Sequence, residues 1–204
     1  MNIAVFASGR GSNFEAILSA IHRGNLPARV CVVISNNSGA GALEVARTRN
    51  IPGYHISQRQ FPSEDAFVAK TISVLQDHNV DFVALAGYMK KLSPKLIGRY
   101  RNRIANVHPA LLPAFGGPGM YGIRVHEAVL QSGVKVTGAT VHLVDEEYDR
   151  GPIVMQKIVA VSPTDTPVTL AAKVLEIEHE IYPLALKAFA EKRIRIQGNT
   201  VWIQ

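Results

Sequence analysis

The sequence predicts an α/β protein, a Rossmann-like and mostly parallel sheet flanked by helices, with an antiparallel strand addition in the C-terminal half. Short uninterrupted apolar runs alternate with amphipathic stretches through the first half of the chain. Strands that are apolar on both faces belong to a parallel sheet covered by helices on each side. In the second half two longer segments of alternating side chains flank a short acidic loop, the pattern of an antiparallel pair. No internal repeat or low-complexity linker interrupts the 204 residues, so one domain spanning 1–204 is expected.

Taken in order, "NIAVFA" (2–7) reads as a buried strand and "NFEAILSAIHRG" (13–24) as an amphipathic helix closed by Gly24. "ARVCVVIS" (28–35) is a second strand, "GALEVARTRN" (41–50) a helix and "IPGYHI" (51–56) a weak third strand. The segment 63–79 opens on Ser63 in N-cap position and keeps apolar residues at helical spacing. "VDFVALAG" (80–87) is again a buried strand, 93–100 a short helix with Pro94 in its first turn, and "RIANVH" (103–108) a strand. Segments 133–144 and 151–161 are the antiparallel pair joined by "DEEYDR". A long helix is expected over 166–193, bent or broken at Pro183, before a closing hairpin around Gly198 and Asn199. Pro and Gly crowd into 109–122, which reads as an active-site loop.

Composition narrows the function classes. The formal charge is +6, yet the basic residues are scattered, and neither an RNA-binding aromatic motif nor zinc-finger spacing is present. A basic surface with a local anion site is expected, and no nucleic-acid partner. Cys31 is the single cysteine and lies inside an apolar run, so it reads as a buried thiol in a reducing compartment. The N-terminus has no basic leader and its apolar run is short, so the expectation is a cytoplasmic protein with neither signal peptide nor membrane span.

The first strand ends in "ASGRGSNF". A strand, then glycines, then a helix N-terminus exposes unpaired N–H groups that suit a phosphate. Phe14 stands where a dinucleotide fingerprint needs its third glycine, and the GK[ST] of a P-loop is missing. A mononucleotide or sugar phosphate on Gly11, Ser12 and Asn13 is one reading. The other is a tight turn with Ser12 or Asn13 as N-cap. His126 and His179 are each followed by Glu, but Leu130 and Pro183 occupy the positions where HExxH needs its second histidine, so no metal site is expected. His22, His55 and His78 read as surface residues, and His142 as structural support.

Asn106 and His108 lie two apart at a strand end and so share a face, and Pro109 holds the histidine extended. Ligands of open α/β sheets gather at strand ends. An amide and an imidazolium together suit negative charge developing on a carbonyl oxygen. A nearby carboxylate would favour the charged imidazole, with Asp145, Glu146, Glu147 and Asp149 as candidates. The plainer reading is a strand-end turn with capping side chains.

The segments "FASGRGSNFEAI", "AGYMKKLSP", "NVHPALLPAF", "VTGATVHLVDEEYDRGPIV" and "EIEHEIYP" together resemble the formyltransferase family that uses 10-formyltetrahydrofolate. The resemblance covers essentially the whole chain. It implies that Asn106, His108 and Asp149 are catalytic and that Gly11, Ser12, Asn13 and Glu178 bind a ribonucleotide. It also implies that Met89, Lys90, Lys91 and Leu92, together with Asn106, contact the folate, and that Leu112–Pro113 is a cis bond. The implied reaction moves the formyl group to the amine of a glycinamide ribonucleotide in de novo purine (IMP) synthesis, through a tetrahedral intermediate and without metal. The implied division of labour is a phosphate and ribonucleotide half, 1–100, and a folate and catalytic half, 101–204. Glu64 stands where many relatives carry Arg or Lys, and Lys90 where many carry Arg, which weakens the expected hold on the folate glutamate tail. Relatives acting on tRNA carry an added C-terminal domain, and those hydrolysing formyltetrahydrofolate an N-terminal regulatory one. A chain running from a strand at Asn2 to Gln204 is expected to have neither. Hydrolysis, or a non-catalytic nucleotide-binding module, are the alternatives.

Overall fold

The computed structural model describes all 204 residues, Met1–Gln204. The chain divides into two compact units, Met1–Ala105 and Asn106–Gln204.

In the first unit β1 (Asn2–Phe6), β2 (Arg29–Ser35), β3 (Gly53–His55) and β4 (Phe82–Leu85) form a parallel sheet in the order β3-β2-β1-β4. The strands are apolar because both faces are covered. Ile3, Ala4 and Val5 of β1 and Val83 and Ala84 of β4 are fully buried. The helices α1 (Ser12–His22), α2 (Gly41–Thr48), α3 (Glu64–Asp77) and α4 (Pro94–Arg99) flank these strands, with a short 3₁₀ turn over Gln58–Gln60. From α1, Phe14 and Ile17 are fully buried, each contributing roughly 1.5–3 kcal/mol of apolar transfer. Ser63 caps α3 by accepting from the Ala66 N–H, and Ser93 caps α4 ahead of Pro94.

Because β2 and β3 lie on one side of β1 and β4 on the other, the order in which strands are added reverses between β1 and β4. That is the switch point at which open α/β sheets leave a crevice at the carboxyl ends of their strands. The Ser8 N–H donates to the Gly87 carbonyl across it.

The boundary between the units falls inside β5 (Ile104–His108). The second unit continues with α5 (Ile123–Ser132), β6 (Val136–Leu143), β7 (Ile153–Ala160), α6 (Pro167–Ala190), β8 (Ile194–Gln197) and β9 (Thr200–Ile203). β6 and β7 pair antiparallel as expected, with a register shift between Val141 and His142. β9 pairs parallel with β7 and antiparallel with β8. α6 packs on β6, β7 and α5, burying Leu170, Val174, Ile181 and Tyr182.

Two sequence expectations need correction, and one helix has no counterpart among them. Residues 123–132 form α5, because Val125 and Val129 are fully buried at helical spacing and Gly133 closes the helix with left-handed backbone. α6 is not broken at Pro183. The helix continues through it, with Pro183 itself buried between Tyr182 and Ala185 in the packed face. Neither Ser12 nor Asn13 caps α1. The N-cap is Gly11, at φ 90°, with no side-chain hydrogen bond. Cys31 is half-buried; its thiol donates to the Ile3 carbonyl, and burial pushes its pKa up. No helix is long and apolar enough to cross a membrane.

Candidate active site

In the first unit the phosphate turn follows β1 directly. A Cβ on Gly11 would lie 3.0 Å from the Cα and Cβ of Ala42, so the close approach of α2 and the left-handed backbone both select glycine. Ser12 opens α1 and Asn13 is buried within it. The segment after β4 is anchored by Ser8. Its hydroxyl donates to Asn36 Oδ1 at 2.5 Å and accepts the Met89 N–H at 2.9 Å. Met89, Lys90 and Lys91 are exposed and Leu92 is buried. A cleft of about 250 Å³ is lined by Asn36, Ser57, Arg59, Phe67, Tyr88, Lys90 and Lys91, so three cations stand around aromatic walls. Burial pushes the Tyr88 phenol up to about 12, which keeps it neutral. Glu64 lies away from this lining, in the first turn of α3, where a carboxylate complements the helix dipole.

The chemistry-bearing side chains gather in the second unit. Asn106 and His108 leave the same face of β5, and β6 and the acidic loop bring His142 and Asp149 to them. His108 is 3 % exposed and His142 2 %. His108 Nδ1 lies 3.6 Å from Asp149 Oδ2, and its Nε2–H donates to the Phe115 carbonyl at 2.8 Å. Asp149 Oδ2 also accepts the Gly117 N–H at 2.9 Å. Among the four acidic candidates of the loop, Asp149 is the one turned inward. Its φ of 55° places it in the left-handed region, as does Phe115 at 55°, so both residues framing His108 hold backbone that costs energy elsewhere.

Burial is the strongest influence on His108 and pushes its pKa below the ordinary histidine value. The Asp149 charge and the Phe115 carbonyl pull the other way without overcoming it. For Asp149 burial pushes upward, but a hydrogen bond from His142 whenever its Nε2 bears a proton, the His108 charge and the Gly117 N–H together hold the carboxyl below its usual range. The site at rest is thus an ionised carboxylate facing a histidine that resists protonation until negative charge appears beside it.

A second layer fixes the loop. Thr140 Oγ1 accepts the Leu112 N–H at 3.0 Å and donates to the Ala110 carbonyl at 2.6 Å. Gln156 Nε2 donates to both Thr140 Oγ1 and the Leu112 carbonyl at 2.9 Å. The Leu112–Pro113 peptide is cis, as the resemblance implies. Sequence reading missed Thr140 and Gln156, and gave His142 a supporting role only. The period-two spacing of Thr140 and His142 on β6 was the available signal. His126 is buried on α5, where its pKa is lowered by burial and by His108, while Arg124 lies exposed over the Tyr121 ring. Glu178 is buried on α6. His22 and His55 are exposed, and His78 is half-buried against the Tyr54 hydroxyl. No group of three or more His, Cys, Asp or Glu is arranged to hold a metal ion.

The fold is that of a group-transfer enzyme. The chain belongs to the formyl transferase family, whose model matches residues 1–186. Among its relatives, the chloroplastic phosphoribosylglycinamide formyltransferase of Arabidopsis thaliana is 43% identical over 200 residues, covering 98% of this chain and 68% of that protein. The phosphoribosylglycinamide formyltransferase of Escherichia coli is 36% identical over 203 residues, covering 100% of this chain and 93% of its own length. The crystal structure of glycinamide ribonucleotide transformylase 1 from Symbiobacterium toebii superposes with a TM-score of 0.93 at 42% identity. It covers 100% of this chain and 93% of that one.

Proposed function

We propose that this chain transfers the formyl group of 10-formyltetrahydrofolate to the primary amine of N1-(5-phospho-D-ribosyl)glycinamide, a step of purine synthesis, acting as one formyltransferase domain in the cytoplasm. The observation that carries the reading is the cluster of a buried His108 with half-buried Asn106 and Asp149. Two N–H donors and one carboxylate converge there with their side chains held in place.

The amine attacks the formyl carbon, and the carbonyl electron pair moves onto oxygen. Asn106 donates an N–H to that oxygen, and His108 donates from Nδ1 once it takes up a proton. Its Nε2–H stays on the Phe115 carbonyl. The developing oxyanion supplies the negative charge that burial makes His108 wait for, and Asp149 provides the matching counter-charge at 3.6 Å. The tetrahedral intermediate collapses by breaking the bond from carbon to N10. The proton lost by the amine reaches N10 with Asp149 assisting, through water.

The remaining roles follow the same logic. Gly11, Ser12 and Asn13 hold the phosphate, a role supported by an α1 N-terminus whose cap offers no side chain to its N–H groups. Glu178 holds the ribonucleotide. Met89, Lys90, Lys91 and Leu92 contact the folate. Arg59 lines the same cleft as Lys90 and Lys91 and adds a third cation for the folate glutamate tail.

Release of tetrahydrofolate from 10-formyltetrahydrofolate is followed with and without glycinamide ribonucleotide. Transfer requires the amine. Release without it would mean a hydrolase, and no release in either case a binding module. His108→Ala should keep ribonucleotide affinity and lose roughly 10³-fold in turnover. Near-normal turnover in that variant would overturn the assignment.

A further inference from the structure

His142 is 2 % exposed and sits where the β6–β7 register shifts, a place where a bulge re-aims a side chain. Its Nδ1 lies 2.8 Å from the Leu143 carbonyl oxygen, which can only accept, so Nδ1 carries a proton. Its Nε2 faces two groups, Asn106 Nδ2 at 3.1 Å and Asp149 Oδ1 at 3.6 Å. One nitrogen cannot serve both. With a lone pair it accepts from the amide, and with a proton it donates to the carboxylate. The shorter distance decides for the lone pair, while Asp149 has the Gly117 N–H at 2.9 Å and faces His108.

We propose that His142 is the positioning residue that sets which end of the Asn106 amide faces the reacting oxygen, by holding a neutral ring with Nδ1–H and a bare Nε2. The two ends of an amide have nearly the same shape and opposite hydrogen-bonding character, so only a partner of fixed character chooses between them. With Nε2 accepting one Asn106 N–H, the second N–H of the same nitrogen is left for the formyl oxygen. Turned over, the amide would present Oδ1 to that oxygen and repel the charge it should stabilise. The Leu143 carbonyl fixes the tautomer, the tautomer fixes the amide, and the amide supplies the donor. This inference rests on the proposed role of Asn106 and assigns His142 no contact with either substrate.

Two measurements test it. Nitrogen-15 NMR of the histidine-labelled, unmutated protein at neutral pH should show His142 with a protonated Nδ1 and an unprotonated Nε2. A proton on Nε2 would overturn the proposal. In kinetics, His142→Asn keeps a polar group near the place of Nδ1 but offers no acceptor at the place of Nε2, whereas the longer His142→Gln returns an acceptor there. His142→Asn should lower kcat about 100-fold with KM for both substrates changed less than about 3-fold, and His142→Gln should recover most of the loss. In an Asn106→Ala background, His142→Asn should cost no further turnover. An equal fold-loss in both backgrounds would overturn the inference while leaving the Asn106 assignment intact. Near-normal turnover in Asn106→Ala alone would overturn that assignment instead. If His142→Asn does not fold, the NMR result on the unmutated protein decides.

Discussion

The crevice at the ends of β1 and β4 in the first unit and the histidine cluster of the second are built on different plans. The crevice is made of main chain, namely an α1 capped by Gly11 with no side chain involved and a Met89 N–H pinned by Ser8. Its charged rim of Arg59, Lys90 and Lys91 is exposed. The cluster is made of side chains, with His108 and His142 almost wholly buried and both ring nitrogens of each engaged. A site built from backbone tolerates changes in its rim, because any residue supplies the N–H. A buried side-chain site has no such latitude, since each atom removed leaves a partner without solvent to replace it.

The sharpest way to break this contrast is Asp149→Asn. The amide oxygen can still accept the Gly117 N–H, so the fold of the loop is kept while the charge is lost. Turnover should fall about 10²-fold. Because the Asp149 charge pulls the His108 pKa upward, its removal should lower that pKa further below the ordinary 6.5, as read by NMR titration. An unchanged or raised value would show that the carboxylate does not face His108 as the geometry requires.

Acid should act on the cluster before the crevice. The folded pKa of His108 and that of His126 are depressed below 6.5, so below that pH the unfolded chain takes up protons that the folded one refuses. Stability falls with falling pH in that window. The Asp149 pKa is depressed below 3.8, so its contribution, present above 3.8, is lost as pH falls through the lower folded value. Both terms point the same way. Urea midpoints measured from pH 7.5 to pH 4 should decline, and His126→Gln should flatten the first part of the decline. A midpoint that rises toward pH 5 would contradict the depressed His108 and His126 values.

This contrast also explains what the sequence reading reached. Apolar runs such as "NIAVF" and "FVAL" are legible because both faces of each strand are buried and burial leaves a compositional mark. Asn106 and His108 are legible because period-two spacing is a local rule. The partners that finish the cluster are not local and carry no residue signature. The Phe115 carbonyl and the Gly117 N–H are main-chain groups, placed by left-handed backbone that residue type alone does not announce at Phe115 or Asp149. α5 was hidden because its N-cap, Gly122, makes no side-chain hydrogen bond and the helix follows a Gly-rich stretch. At Pro183 the local rule was outweighed by packing, since α6 buries residues on both sides of it.

The crevice is most directly broken through its backbone. Gly11→Ala asks a residue with a Cβ to hold φ 90° and to approach Ala42 at 3.0 Å, which should cost about 1–2 kcal/mol. The expected result is a lower Tm and weaker ribonucleotide binding by calorimetry, with folate binding little changed. Equal affinity for the ribonucleotide would remove the turn from the phosphate site.

The smallest effect tests whether the rim is tolerant. Arg59 is exposed, and an exposed cation facing an anionic ligand contributes roughly 0.2–1 kcal/mol. Arg59→Ala should therefore raise KM for 10-formyltetrahydrofolate only about 2- to 5-fold, with kcat unchanged, because the residue touches no reacting atom. The same change should shrink in high salt, which screens an exposed charge while leaving a buried one nearly untouched. Combining it with Lys90→Ala should give losses that add, as for independent charges on a solvated rim. Asp149→Asn, by contrast, should respond to salt hardly at all. If Arg59→Ala lowered kcat as well, the cleft beside Lys90 and Lys91 would be coupled to the chemistry, and the separation of a tolerant binding rim from an intolerant catalytic cluster would fail at that residue.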